Sequence, residues 1–447
     1  MSVREAARAL GARSSGADAR FAGVSTDSRT LHAGVLFVAL RGERFDGHEF
    51  VAAAGSAGAA AAMVDRRYTG PYPLPVIVVE DTRRALGELA RHWRTRFAPV
   101  LIAVTGSNGK TTVKEMLASI LLRHAGEPAV LATAGNFNND IGVPLTLLRL
   151  REAHRYCAIE LGMNHRGEIA QLAAIAQPTV ALVNNAQREH LEFMRSVEEV
   201  AAENASVYAA LPPEGVAVVN ADDAHAELFR KAAGSRRVLD FGLERPAAVT
   251  GSYALEPLSS ELRLRTAEGE AVATLAIPGL HNVRNALAAA ACALSAGVAL
   301  PAIGEGLSAF LPYTGRLQVK QSAAGATVID DTYNANPDSV RAAIDVLASC
   351  PGPTLLVHAT VPDAVALATW PATTFAVTIE DSSGLASSTS SPAICSTGTP
   401  SVRYSTTGCA SPSRGSAHGQ IPNGSPPNQS VTFLPSVRSG VAVSPNR

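Results

Sequence analysis

The chain is poor in cysteine, nearly neutral and without a long apolar run, and each shortage removes a class of function. Cys157, Cys292, Cys350, Cys395 and Cys409 are its five cysteines, and no two of them form a CxxC pair. An odd, scattered set in a chain of 447 residues supplies neither a disulfide framework nor a zinc knuckle, and reads as buried or incidental thiols. The 38 Lys and Arg against 39 Asp and Glu leave a net charge of -1. Without a global field or a concentrated basic patch, nucleic acid is not expected as a partner. No stretch reaches the roughly 18 uncharged apolar residues of a membrane span, and the amino terminus has no basic-then-apolar leader pattern. The expected location is the cytoplasm.

A further shortage sets in at His358. From there to Arg447 there is no Lys, fewer than about one residue in ten is charged, and about four in ten are Ser, Thr or Pro. No helical period survives, and the expectation is a disordered tail over 358–447. The change falls right after the strand-like Thr354 to Val357 and before any helix that could cover it, where a doubly wound domain should not stop. That favours a shifted reading frame from about His358 over a genuine extension, since a linker would more naturally follow a completed unit.

What is present is an α/β pattern long enough for about three domains. Residues 1–97 mix short apolar strands (Val35 to Leu40, Val76 to Val79) with Ala-rich stretches and end in the amphipathic run Arg83 to Arg96, as in a small α/β domain. At Pro99 a new unit opens with VLIAVTG. Further βα alternations follow at Ala158 to Leu161, Val180 to Asn184 and Gly215 to Asn220, then a helix starts near Asn282. Over 98–311 this predicts a mostly parallel sheet with helices on both faces. A third, Rossmann-like α/β domain opens at 312–357, with strands at Arg316 to Lys320, Thr327 to Asp331 and Thr354 to Val357 and a helix over Ser339 to Ala348. It is incomplete.

The strongest chemical signal is Thr105-Gly106-Ser107-Asn108-Gly109-Lys110-Thr111-Thr112, between an apolar strand and the helical run Val113 to Arg123. This is the setting of a phosphate-binding loop: backbone N–H groups and a helix N-terminus face the anion, the glycines let the backbone come close, and Lys110 reaches the terminal phosphates of ATP. Thr111 is then the Mg²⁺ ligand. The G-x-x-G-K-T spacing is two residues shorter than the common loop, so a generic nucleotide hydrolase fits less well. Glu160 and His190 each follow a strand of the same sheet, where ligands gather. Either alone reads equally as a packing or surface group. Together, after a phosphate loop, they point to a metal site, with Glu160 the hard oxygen ligand and His190 the less usual partner for Mg²⁺.

TGSNGKTT, AIELGMNHRGEIA, NNAQREHLE, PGLHNVRNALAAAA, YTGRLQ and VIDDTYNANPDS stand in the order found in the Mur ligase family. From about Val24 to Val357 the chain resembles that family, most of all the members that join D-alanyl-D-alanine to UDP-N-acetylmuramoyl-tripeptide. The resemblance implies a monomeric ATP-dependent amide ligase that works through an acyl phosphate in peptidoglycan precursor synthesis. It implies catalytic roles for Lys110, Glu160 and His190. It adds Asn282, Asn285, Arg316 and Asp331 to the ATP site. Ser25, Thr26, Asp27, Ser28 and Arg29 with GERFDGHEF resemble the uridine-nucleotide site. Asn136, Asn138 and Asn139 resemble the loop that meets the muramoyl peptide, and Tyr333, Asn334 and Asn336 fall in the block closest to the D-alanyl-D-alanine-adding members.

Plainer readings of the same residues exist: STDSR as a capped turn, NFNND as a polar loop, HNVRN as a capped helix start, Arg316 as half of a surface ion pair. The chain departs from the family at Val200-Ala201-Ala202-Glu203-Asn204, which has no Lys where members carry a carbamate-modified one for a second Mg²⁺, and again after Val357. A diamino-acid-adding member or a folylpolyglutamate synthase is the neighbouring reading. A nucleotide-binding protein without turnover is the reading from another class.

Overall fold

The computed structural model describes residues 1–43, 45–189, 193–322, 325–333, 336–359, 374–379 and 432–435. They form two compact units, one from Met1 to Tyr313 and one from Thr314 onward.

The first unit opens with a five-stranded sheet: β1 (Arg13–Ser15), β2 (Gly23–Ser25), β3 (Val35–Val38), β4 (Ala61–Asp65) and β5 (Val76–Val79) in the order β1-β5-β4-β3-β2. All pairings are parallel except that of β1 with β5. Every residue of β4 is buried, as expected of a central parallel strand covered on both faces.

A six-stranded sheet follows: β6 (Val100–Thr105), β7 (Val130–Ala132), β8 (Tyr156–Glu160), β9 (Val180–Val183), β10 (Val216–Asn220) and β11 (Arg237–Phe241). Its order is β11-β10-β9-β6-β8-β7, and every pairing is parallel. From β6 the chain steps out to β7, returns to β8 and then crosses to β9 on the other side of β6. The strand order reverses there, so the carboxyl ends of β6, β8 and β9 border the crevice where such sheets take ligands.

β12 (Thr250–Leu255), β13 (Ser260–Thr266) and β14 (Gly269–Leu275) form a separate antiparallel meander that the βα pattern did not anticipate. In β13 Ser260, Leu262 and Leu264 are buried between exposed Glu261, Arg263 and Arg265, the alternation of a half-covered strand.

The helix Thr82–Arg94 carries the first sheet onto the second. Asp81 caps it, accepting from the amides of Arg83 and Arg84, and its apolar stripe Ala85, Leu86, Leu89 and Ala90 is buried. At its last turn the Arg94 guanidinium donates to the carbonyls of Ala176 (3.1 Å), Gln177 (3.2 Å) and Phe97 (2.6 Å). Two of those carbonyls close the helix Glu168–Ala176, whose negative end suits a cation.

The second unit has β15 (Gln318–Gln321), β16 (Thr327–Asp331), β17 (Thr354–Ala359), β18 (Thr374–Ile379) and β19 (Thr432–Pro435) in the order β15-β16-β18-β17-β19, with the helix Pro337–Ser349. β18 pairs in parallel with β16 and β17, whereas β15 and β19 pair antiparallel at the two edges. β18 and β19 lie in the stretch after His358 for which no ordered element is expected; Thr374-Phe375-Ala376-Val377-Thr378-Ile379 is nonetheless rich in β-branched residues. Among the described residues no helix is long and apolar enough to cross a membrane.

The helix Leu300–Ala309 rests on the helix Lys110–Ala125 through a glycine contact. Ser119 donates to the Gly306 carbonyl at 2.7 Å, and a Cβ at Gly306 would lie 2.4 Å from the Ile120 Cα. Gly306→Ala must force the two backbones apart, and the expected loss is about 1–3 kcal/mol, read from the denaturant midpoint of the folded chain.

Candidate functional site

At the end of β6 the chain turns through Gly106 to Gly109 into the helix Lys110–Ala125. Gly106 has φ +130° and Gly109 φ +80°, values that side-chain-bearing residues rarely adopt. Space makes the same demand. A Cβ at 106 would sit 3.0 Å from the amide nitrogens of Asn184 and Asn185, and one at 109 would sit 2.3 Å from the Asn285 Oδ1.

The loop is laced to the segment that follows β9. The Ser107 amide donates to the Asn185 carbonyl (3.0 Å) and the Asn108 amide to Asn185 Oδ1 (2.8 Å). The Asn108 carbonyl accepts from Asn184 Nδ2 (2.8 Å) and Asn185 Nδ2 (3.0 Å). Gln187 takes the Asn108 carboxamide on its Oε1 (2.6 Å) and gives its own amide to Ser107 Oγ (2.9 Å). From the helix Leu280–Ser295, Asn285 accepts from Asn184 Nδ2 (3.0 Å) and donates to Asn282 Oδ1 (3.1 Å). Beside them burial holds the His281 imidazole down at about 4, helped by Arg284, so it stays neutral. The first amides of a helix lack intrahelical acceptors, and among the described residues no side chain caps the one at Lys110.

Lys110 Nζ reaches the carbonyls of Gly106 (2.6 Å) and Ser107 (2.9 Å) and the Glu189 carboxylate (3.1 Å). One residue on, Thr111 Oγ1 donates to Glu160 Oε1 at 3.3 Å. Glu160 is buried at the end of β8; Asn138 Nδ2 donates to the same Oε1 (2.8 Å), and the Glu160 amide is held by Thr133 Oγ1 (3.0 Å). Its second oxygen, Oε2, is buried with no hydrogen-bond partner among the described residues. A withdrawn carboxylate oxygen beside a threonine hydroxyl suits a hard divalent cation, so the donor set fits Mg²⁺. Thr112 is buried on the same helix. His190 and Asn334 lie outside the described residues. At Asn204, where the family lysine is missing, the buried side chain accepts from Thr105 Oγ1 (2.7 Å) and donates to the Val200 carbonyl (3.0 Å), a packing role under β6.

The remaining candidates fall into local clusters. Ser25 closes a turn on Asp27, and Arg29 grips Asp27 with two bonds (2.9 and 2.8 Å), which pulls that carboxyl down to about 2. Ser28 follows in the same surface turn. In NFNND the Asn136 carbonyl accepts from the Asn138 amide (2.7 Å), while Asn139 Oδ1 accepts from the amides of Ile141 (3.2 Å) and Gly142 (2.9 Å). Asn138 thus joins the Glu160 cluster and Asn139 sets the start of the next helix. In the second unit the Arg316 guanidinium lies 3.7 Å from the Tyr333 ring centroid. Asp331 accepts from the Leu317 amide (3.3 Å), and Asn336 caps the helix Pro337–Ser349. Asn184, Asn185, Gln187 and Glu189 lie in the NNAQREHLE block, a polar run directly after an apolar strand, but of that block the sequence reading gives a role to His190 alone.

Residues 20–94, 104–293 and 315–368 match, in turn, the Mur ligase family catalytic domain, the Mur ligase middle domain and the Mur ligase glutamate ligase domain. The UDP-N-acetylmuramoyl-tripeptide--D-alanyl-D-alanine ligase of Escherichia coli (strain K12) is 44% identical over 347 residues, 76% of this chain and 75% of that protein. The ligase of the same description from Bacillus subtilis (strain 168) is 37% identical over 335 residues, 74% and 71% of the two chains. A crystal structure of MurF from Acinetobacter baumannii superposes with a TM-score of 0.77 at 33% identity, covering 84% of this chain and 95% of that one.

Withdrawal from water raises the Asp331 carboxyl from 3.8 to about 6, against the pull of Arg316. The folded state therefore holds a proton that the unfolded chain has released between those two values, so stability falls as pH rises from about 4 to about 6 and is flat above. Asp331→Asn should remove that slope, read as denaturant midpoints across the pH range.

Proposed function

The chain belongs to the Mur ligase family, and from that premise we propose that it is an ATP-dependent amide ligase joining D-alanyl-D-alanine to UDP-N-acetylmuramoyl-tripeptide in peptidoglycan precursor synthesis. The observation that carries the reading is the pairing of a glycine loop and Lys110 with a buried carboxylate, Glu160, one hydrogen bond from Thr111. It is a site for a polyphosphate and a hard cation at the reversal point of a parallel sheet. The same reading makes the chain a cytoplasmic monomer.

The tripeptide carboxylate attacks the γ-phosphorus of ATP, giving an acyl phosphate and ADP. The amine of D-alanyl-D-alanine then attacks the acyl carbon and expels phosphate. In the first step the chain has little covalent work to do; it must place the phosphoryl group and stabilise its charge. Lys110 and the loop amides serve that end, and the Asn184–Asn285 and Asn282 contacts hold the loop in the shape that presents them. Thr111 and Glu160, with His190, would hold Mg²⁺, which when bound neutralises charge on the phosphates. Ser25, Asp27, Ser28 and Arg29 would take the uridine nucleotide, and Asn136 and Asn138 the muramoyl peptide. Arg316 and Asp331 would contact ATP, and Tyr333 the substrate. Asn139 and Asn336, already committed to helix starts, would act by positioning their loops.

A second reading rests on two observations. The match to the glutamate ligase domain ends at residue 368, and the composition changes at His358. On that reading the chain binds nucleotide and does not turn over.

Phosphate release by the purified chain should require both UDP-N-acetylmuramoyl-tripeptide and D-alanyl-D-alanine, and Lys110→Ala should lower it by about 10²–10³-fold with the fold intact. Retained turnover in that variant would count against the loop assignment, whereas ATP binding with no phosphate release in the parent would favour the second reading.

A further inference from the structure

We propose that Glu189 is an electrostatic latch on Lys110, a positioning residue that occupies the loop ammonium until a polyphosphate displaces it. The inference deepens the proposed function and rests on its phosphate-loop reading. An ammonium has three hydrogens to give. Here they face the Gly106 carbonyl at 2.6 Å, the Ser107 carbonyl at 2.9 Å and the Glu189 carboxylate, whose two oxygens lie at 3.1 and 3.4 Å. All of the donor capacity of Lys110 is therefore committed without a ligand, and the lysine is folded back over its own loop.

Burial gives the contact weight. The side chains are 15% exposed for Lys110 and 8% for Glu189, so the pair is largely shielded from the water that makes surface ion pairs weak. An unpaired cation in that position would be costly, and the carboxylate relieves the cost while the site is free. The carboxylate is also held in place. Two residues before it, Gln187 exchanges bonds with both Ser107 and Asn108, so the strand-end segment cannot drift from the loop without breaking them.

A triphosphate seated on the loop needs the same ammonium hydrogens and brings negative charge to the ground Glu189 occupies. Like charges cannot share that position. Nucleotide binding thus exchanges one anionic partner of Lys110 for another, and the intrinsic affinity of the loop is reduced by the fraction of chains in which the latch is closed. Glu189 sets how tightly the nucleotide is held, and its removal strengthens binding where loss of a merely structural contact would weaken it.

The test is calorimetric titration of the full chain and of Glu189→Gln and Glu189→Ala with ATP and Mg²⁺, paired with KM for ATP and kcat from phosphate release. The latch predicts that Kd and KM for ATP fall roughly three- to tenfold in both variants, with no rise in kcat. Either variant suffices if the other does not fold. Unchanged or weaker ATP binding in a folded variant, with the parent binding normally, overturns the latch alone. No ATP binding by the parent overturns the phosphate-loop reading, and the latch with it.

Discussion

Everything at the ligand end of the central sheet depends on two backbones coming close enough to touch with nothing between them. Gly106 and Gly109 lie against Asn184, Asn185 and Asn285, and a methyl group at either position would occupy space already filled by an amide. That closeness lets asparagine side chains satisfy the loop carbonyl at Asn108, and among the described residues no side chain caps the start of the following helix. The sheet supplies the approach, because β6 and β9 are direct neighbours and their carboxyl ends emerge side by side. A loop of the same sequence without a polar partner strand would have no reason to keep its shape.

The second constraint is the cost of burying charge. Glu160 and Glu189 both sit near the loop with little exposure, and the two are handled differently. Glu189 is matched by a cation, so its desolvation is offset within the protein. Glu160 is matched only in part: one oxygen takes two hydrogen bonds and the other takes none among the described residues. A half-satisfied carboxylate beside a glycine loop is explained by a ligand more readily than by stability, since an apolar residue of similar size would cost the fold less.

Much of this was legible because the strands of a covered parallel sheet are written as unbroken apolar runs. VLIAVT, YCAIE, VALV and VAVVN became β6, β8, β9 and β10, and the loop motif fell where its context required. The meander β12 to β14 does not belong to the βα pattern and so is not predicted by it, although Ser260 to Thr266 alternates plainly. Individual polar side chains were harder to assign. Asn138 and Asn139 are neighbours of one type, yet one bonds a buried carboxylate and the other caps a helix, a difference set by backbone direction and not by composition. Glu189 lies inside the NNAQREHLE run, yet its own role was not legible there, for its meaning comes from a lysine 79 positions earlier in the chain.

Arg94 has a consequence for anyone who would dissect the protein. Matches to known domains leave a gap between residues 94 and 104, an inviting place to cut. The guanidinium that ends the first segment closes the carboxyl end of a helix further along the chain, through the carbonyls of Ala176 and Gln177, 82 and 83 residues downstream. Scissors placed in that gap would strand a charge on one fragment and bare two acceptors on the other, so the halves are better regarded as one folding body with a printed seam than as parts made to be separated.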